Sequence, residues 1–457
     1  MTDKSATPWT QARGVPVTAA TVLDEALGPK PDSMSDEKYD VLARSKAFWN
    51  PAKTQDWQDM GVDLVIDRRE RYHLYDMDGR RLIDVHLNGG TYNLGHRHPE
   101  LIEVLNAGSA RFDMGNHHFP AIARTALAEA LADCAPAPDM KYTAYASGGG
   151  EAIDIAIKTA RHAAQKKKIV SIVKAYHGHT GLAVKTGDSR FSKLFLSEDT
   201  DGEFVQVPFN DLNAMEDALK GRDVAAVIME TIPATYGFPM PHEGYLPAVR
   251  ELCNRYDAFY IADEVQTGLM RCGEMWGCMK YGIEPDIMVT GKGISGGMYP
   301  IACVLISEKC GGWLHKDGFG HISTMGGAEL GCIVAMKTLE IVQRPEVRTM
   351  VRYISDYVRD GLNKIMAAYP EFFIGIRQHG VVMGLEFNHE QGAKPVMRHL
   401  YQNGVWAIFS TLDARVLQFK PGLLMTQAEC EDLLRRVEIA IGLASDEIMG
   451  KPGRRYI

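Results

Sequence analysis

The chain lacks any apolar run near the ~18 residues that a membrane-spanning helix requires. Its opening, Met1-Thr-Asp-Lys-Ser5, has no apolar segment of the kind that directs secretion. It has no surplus of positive charge: 50 Lys and Arg stand against 58 Asp and Glu, a formal −8, which disfavours nucleic acid as a partner. Eight cysteines are scattered over 457 residues, and the close pairs Cys272/Cys278 and Cys303/Cys310 lack zinc spacing, so reduced thiols in a cytoplasm are the expectation. No internal repeat or low-complexity tract is evident. What remains is a soluble globular composition, 46% hydrophobic and 24% charged, long enough for more than one domain.

Against that background one lysine stands out by its setting. Asp286-Ile-Met-Val-Thr-Gly-Lys292-Gly-Ile-Ser-Gly-Gly297 is a short apolar run, then an amine, then glycines. Upstream, Ile261-Ala-Asp263-Glu-Val265-Gln266-Thr-Gly268 closes another apolar run on a carboxylate, 29 positions before the lysine. An amine at one strand end and an acid at a neighbouring one suit pyridoxal phosphate: the amine forms a Schiff base with its aldehyde, and the acid keeps its ring nitrogen protonated. A lone lysine in this position is ordinarily a solvated loop residue, so the reading depends on further parts.

Three segments supply them. Ala146-Ser147-Gly-Gly149-Gly150-Glu151-Ala152 follows an apolar run and precedes a helix-like set, Ile153, Ile155, Ala156, Ile157 and Ala160. A glycine loop that opens a helix offers free backbone N–H groups and a favourable dipole to an anion. It has neither the Rossmann spacing nor the lysine of a P-loop. Ala175-Tyr176-His177-Gly178-His179-Thr180 places an aromatic ring at a strand end, where it can lie on a flat heterocycle. His177 and His179 have no third ligand at a recognisable spacing, so no metal site is expected. In His321-Ile-Ser323-Thr324-Met-Gly326-Gly327 a hydroxyl stands beside paired glycines, as a phosphate oxygen would require.

Jointly these motifs resemble the class III aminotransferases, the ω-amino-acid and amine transaminase branch of fold-type I pyridoxal-phosphate enzymes. Two further landmarks carry the likeness, Leu74-Tyr-Asp-Met-Asp78-Gly79-Arg-Arg-Leu-Ile-Asp84 and Asn93-Leu-Gly95-His96-Arg-His98-Pro99, and it runs from about residue 62 to 426. The resemblance implies that Lys292 and Asp263 are catalytic. It further implies that Val265 and Tyr176 pack on the ring, with His177 in the same segment. Gln266 reaches the ring hydroxyl, and Gly149 and Gly150 bind the phosphate. Thr324 reaches that phosphate from a partner subunit, in a homodimer or a dimer of dimers with shared sites. Glu230 matches a carboxylate near the ring. Trp49, Tyr92 and Tyr236, with Phe238 and Met298, fall in segments that line the substrate side in relatives.

Two departures bear on substrate choice. Relatives carry a glutamate where Glu230-Thr-Ile-Pro-Ala-Thr235-Tyr236-Gly237 has Thr235, and an arginine where Val416-Leu-Gln418-Phe-Lys420-Pro-Gly422 has Gln418. That pair serves the α-carboxylate of glutamate or 2-oxoglutarate, and its joint loss avoids leaving one buried charge alone. Small oxo acids such as pyruvate, or aldehydes, are therefore expected before 2-oxoglutarate. Arg415 and Lys420 are the nearby cations, each expected to be solvated. The shared parts do not separate transamination from aminomutation, decarboxylation, racemisation or lyase chemistry on the same scaffold.

The expected fold is α/β, a mainly parallel seven-stranded sheet with a smaller α+β domain. Apolar strands are predicted at 141–146, 169–173, 224–230, 258–262, 286–290 and 303–307, alternating with helices. The division expected is an N-terminal arm and part of the small domain over 1–85, a cofactor-binding domain over 86–344, and a C-terminal small domain over 345–457. Ligand residues fall just after strand ends, where open α/β sheets bind them.

Overall fold

A computed structural model describes residues 30–116 and 118–450. Most of the polar arm expected at the N-terminus thus lies outside the described residues. The chain forms two compact units. Among the described residues, the first comprises 30–68 together with 74–81; the second comprises 69–73 and the described chain from 82 to 450.

In the first unit a helix, Asp36–Arg44, starts where the Ser35 side chain accepts from the Lys38 N–H. A single π-turn, Ser45–Trp49, runs into a second helix, Pro51–Asp59, capped by Asn50 with proline at its first position. Lys38 is buried, and its amine lies 3.1 Å from Asp76, 3.3 Å from Asp63 and 3.5 Å from Asp78. It anchors the helix to the Asp78-Gly79 turn, which separates strand His73–Asp76 (β2) from Arg81–Asp84 (β3). Strand β1, Ile66–Glu70, precedes them.

The second unit is built on a seven-stranded sheet. Its strands are Met140–Ala146 (β4), Lys168–Ile172 (β5), Phe204–Val207 (β6), Val224–Glu230 (β7), Phe259–Asp263 (β8), Ile287–Thr290 (β9) and Ala302–Ser307 (β10). Their order across the sheet is β4-β10-β9-β8-β7-β5-β6, and only β10 runs antiparallel to its neighbours. Six strands follow the apolar runs in the sequence. The seventh, β6, is a four-residue edge strand, three of whose residues are only partly buried, and it leaves no apolar run to read. β7 is buried along its whole length, as a central parallel strand covered on both faces must be. The helix Gly149–Ala164 lays Ile153, Ile157 and Ala160 on the sheet beside Ile169, Ile261 and Val304.

Register decides where the polar groups emerge. β7 and β8 pair so that Glu230 lies opposite Asp263, two acids side by side at adjacent strand ends. β9 lies on the other flank of β8 and delivers the chain to Lys292.

A second, four-stranded sheet follows the long helix Pro345–Ala368: Phe373–His379 (β11), Val382–Phe387 (β12), Ile408–Ser410 (β14) and Asp413–Phe419 (β15), ordered β11-β12-β15-β14. The short strand Val405–Trp406 (β13) pairs instead with Ile83 and Asp84 of β3. The closing helix, Gln427–Met449, opens on a reciprocal capping box between Thr426 and Glu429. All eight cysteines are unpaired. Among the described residues no helix is long and apolar enough to cross a membrane.

Candidate active site

Beyond the ends of β7, β8 and β9 lies a cavity of about 180 Å³, room for one small ring with substituents. Gly149, Gly150, Tyr176, His177, Glu230, Asp263, Val265, Gln266 and Lys292 all line it. Most of the residues singled out from the sequence therefore meet in one place.

Lys292 is not on the strand itself. Gly291 keeps the chain extended, and Lys292 then takes a left-handed backbone, φ 43°, opening a single 3₁₀ turn, Lys292–Ser295. The Ser295 hydroxyl donates to the Lys292 carbonyl at 2.6 Å and fixes that turn. The side chain runs over Gly89, where a Cβ would stand 3.2 Å from Lys292 Cε. Burial pushes the amine below the usual lysine range, and Asp263 and Glu230 oppose the shift. A lysine so desolvated has a larger neutral, nucleophilic fraction.

The acids are held by donors. His177 Nδ1 donates to Asp263 Oδ2 at 2.7 Å, and the Val265 N–H donates to Asp263 Oδ1 at 3.1 Å. The Tyr176 N–H donates to Glu230 Oε1 at 2.9 Å. Burial nevertheless pushes Glu230 up to about 7; the His177 charge works against this and Asp263 adds to it. Buried Nε2 of His177 has no hydrogen-bond partner among the described residues.

At the anion end, the helix Gly149–Ala164 begins with the two glycines themselves, after an extended Gly148. The first N–H groups of a helix have no acceptor within it. The approach is tight: a Cβ on Gly178, at φ +115°, would stand 2.7 Å from Gly150 Cα, and one on Gly149 would stand 3.4 Å from Val265 Cγ1. The loop of Gly178 thus sits where only glycine admits it, while a Cβ on Gly149 would make ordinary contact with Val265.

The other sequence candidates are placed less uniformly. Tyr92 and Met298 line a second hollow that also includes Gly149 and Lys292, with the Tyr92 ring 4.0 Å from that of His96. Tyr236 is half-buried beneath the Lys174 amine and does not line the cavity. Phe238 is fully buried in a core cluster with Ile232, Val382 and Val416, so its role is packing. Trp49 belongs to the first unit, where its ring is 69% exposed under the Lys53 amine. Thr324 is exposed, and its carbonyl accepts from the Asn116 N–H.

One expectation is overturned. Lys420 is not solvated: it is 0% exposed, and its amine donates to Gln418 Oε1 at 2.5 Å and Gln266 Oε1 at 3.3 Å. The strand periodicity explains why. Gln418 and Lys420 are two apart and share a face, and the Lys420 N–H is taken by the Val85 carbonyl. Arg415 is exposed as expected, its guanidinium held by Asp413 at 2.8 and 2.9 Å.

Other residues escaped the sequence reading altogether. Arg271 is buried and donates to the Gly89 carbonyl at 3.0 Å; burial lowers it to about 10. His86 is pushed well below the usual range by burial and by the charges of Lys420, Lys292 and Arg271. Glu264 is buried and accepts from Thr231, Thr267, Gly277 and Cys278, tying the loop after β8 together. Only Glu264, beside Asp263 in the motif, had a signal that could have drawn attention to it.

Fold and site define a class: an α/β protein in which a buried lysine, two carboxylates and a helix N-terminus meet in one cavity beyond the strand ends of the large sheet. The model of the family "Aminotransferase class-III" matches residues 54–441. An uncharacterized aminotransferase of Archaeoglobus fulgidus is 41% identical over 408 residues, covering 89% of this chain and 95% of that protein. A putrescine aminotransferase of Pectobacterium atrosepticum is 27% identical, covering 89% and 90%. Among solved structures, a transaminase from the marine bacterium Virgibacillus superposes with a TM-score of 0.83 at 24% identity, over 90% of this chain and all of that one, a likeness in fold. The chain belongs to the class III aminotransferases, a family of pyridoxal-phosphate enzymes.

Proposed function

We propose that the chain holds pyridoxal 5′-phosphate at Lys292 and moves an amino group from an amine or ω-amino acid to a small oxo acid, pyruvate before 2-oxoglutarate, or to an aldehyde. The observation that carries this reading is the convergence of a desolvated amine, an acid and a helix N-terminus on one cavity of ring size. When bound, the cofactor would supply an aldehyde carbon that takes up and gives back the amino group, and an electron-withdrawing ring that stabilises the charge developed in between. Asp263, oriented by His177 and the Val265 N–H, holds a proton on the ring nitrogen. Gly149 and Gly150 present N–H groups to the phosphate, and Val265 and Tyr176 pack on the ring. Lys292 would supply the base that takes a proton from the substrate carbon bearing the nitrogen and returns it to the cofactor carbon on the other side of that nitrogen.

The acceptor preference rests on what the site withholds. Thr235 offers no charge, and Gln418 has its oxygen committed to Lys420. Lys420 is enclosed and Arg415 is neutralised by Asp413, so neither replaces the cation that takes the α-carboxylate of 2-oxoglutarate in relatives. The relative that acts on putrescine supports an amine donor. A second copy of the chain would complete the phosphate site through Thr324, which stands exposed among exposed Phe319, Ile322 and Met325.

The test is a pair of half-reactions. Borohydride reduction of the holoenzyme is expected to label Lys292, and the aminated enzyme is expected to turn over faster with pyruvate than with 2-oxoglutarate. Absence of label at Lys292 refutes the cofactor assignment; equal or faster 2-oxoglutarate turnover refutes the acceptor preference alone.

A further inference from the structure

Lys420 is a buried lysine whose amine, among the described residues, hydrogen-bonds to no carboxylate, Asp84 acting on it through charge alone. Burying an amine without an acid is costly, and amino transfer by Lys292 and Asp263 does not call for it. Its neighbours show what it does. The amine donates to two side-chain amides, and an ammonium has donors only. Both Gln418 and Gln266 are therefore fixed with their oxygens toward the lysine and their N–H groups turned elsewhere. A glutamine without such a partner can present either end.

Gln266 is the member of the pair that lines the cavity. Gln266 and the Lys292 stem both pass Gly89: a Cβ there would stand 3.2 Å from Lys292 Cε and 3.5 Å from Gln266 Oε1. In pyridoxal phosphate the phenolic oxygen is on the ring carbon next to the aldehyde-bearing one, whereas the ring nitrogen lies across the ring. The other neighbour of the aldehyde-bearing carbon bears the phosphate arm, assigned above to Gly149 and Gly150, so the phenolic oxygen falls to Gln266, and what Gln266 presents there, donor or acceptor, matters to that oxygen's charge.

We propose that Lys420 is a positioning residue for the phenolic oxygen of the cofactor: by holding Gln266 through its amide oxygen, it turns the Gln266 N–H toward the ring and favours the phenolate. This rests on the cofactor assignment above. The reversed amide would set its own oxygen against the phenolate, acceptor against acceptor. The device does not depend on the lysine's charge. Burial and the charges of Arg271 and Lys292 push Lys420 well below the usual range, yet a neutral amine still has two N–H donors for the two amide oxygens.

The visible absorbance of the holoenzyme, followed against pH, reports the protonation of the bound chromophore. Lys420→Met keeps the buried stem and removes the donor; it is expected to raise the apparent chromophore pKa by about one unit or more, the size of effect a hydrogen bond to the charged form exerts. Gln266→Met, with Lys420 intact, is expected to move it in the same direction. Adding Lys420→Met to Gln266→Met is expected to give less than roughly a third of the shift seen in the wild-type background, because the lysine acts through the glutamine. An unchanged titration in Gln266→Met overturns the proposal, and so does a Lys420→Met shift of equal size in both backgrounds. Should circular dichroism show Lys420→Met to be unfolded, Gln266→Met decides alone. A wild-type protein with no cofactor band would instead refute the cofactor assignment, so the two failures are distinguishable.

Discussion

Two strand ends bring charge into the same interior and treat it differently. At the edge formed by β7 and β8, Glu230 and Asp263 sit in register, and each carboxylate is met by an N–H or an imidazole. At the end of β15, Lys420 and the nearby Arg271 hydrogen-bond to amide and backbone oxygens and, among the described residues, to no acid. The first edge faces the cavity and its charges are tunable; the second stands behind it and its charges are enclosed. The large sheet thus presents the reacting groups, and the small sheet orients them.

The largest expected effect lies on the first edge. Lys292→Ala is expected to lower turnover by more than about a thousandfold, since it removes both the nucleophile and the proton carrier. Steady-state kinetics on the folded variant check this. Retained turnover would break the contrast between a reacting and an orienting edge.

Next comes the anion end. Gly178→Ala sets a Cβ 2.7 Å from Gly150 Cα at a backbone angle that favours glycine. With a strain on the order of 1–3 kcal/mol, cofactor affinity is expected to fall roughly tenfold or more. Fluorescence titration of apoenzyme with pyridoxal phosphate measures it. Unchanged affinity would show that the helix N-terminus does not bear on the phosphate.

A smaller effect should appear in the pH dependence of stability. Glu230 is raised from 4.5 to about 7, chiefly by burial. Between those values the folded protein retains a proton that the unfolded chain releases, so stability falls as pH rises through the window. Glu230→Gln is expected to flatten that slope in melting curves of the apoenzyme taken from pH 5 to 8. A slope unaltered by the substitution would place the titration elsewhere.

The smallest effect concerns the exposed cation near the second edge. Arg415→Ala removes a partner of Asp413 at the surface and is expected to cost less than about 1 kcal/mol. The ratio of pyruvate to 2-oxoglutarate turnover should not change. A collapse of that ratio would make Arg415 a substrate ligand and blur the distinction between the edges.

The first edge was legible in the sequence because each part leaves a local mark. An apolar run that ends on an acid or before a glycine-flanked lysine announces a strand end, and Gly149, Gly150, Tyr176 and His177 follow such runs directly. The second edge leaves none. Phe419-Lys420-Pro421-Gly422 reads as a strand fading into a turn, and the enclosure of Lys420 depends on Val85 and Gln266, which are far away in sequence. Arg271 is equally silent: its burial follows from the glycine pair at 89–90, where a Cβ on Gly90 would coincide with the guanidinium. Tyr236 and Phe238 were read as substrate-side aromatics. The positive φ of Phe238 turns its ring into the core instead, a backbone choice no periodicity reveals.

The left-handed backbone of Lys292 carries an implication for stability. A non-glycine residue at φ 43° that also buries an amine away from water is locally unfavourable on both counts. Glycine at that position would relax the turn and leave no charge to desolvate. Exchanging this lysine for glycine is therefore expected to make the fold sturdier while emptying the cavity of its amine, a trade of function for robustness set within one turn of the chain.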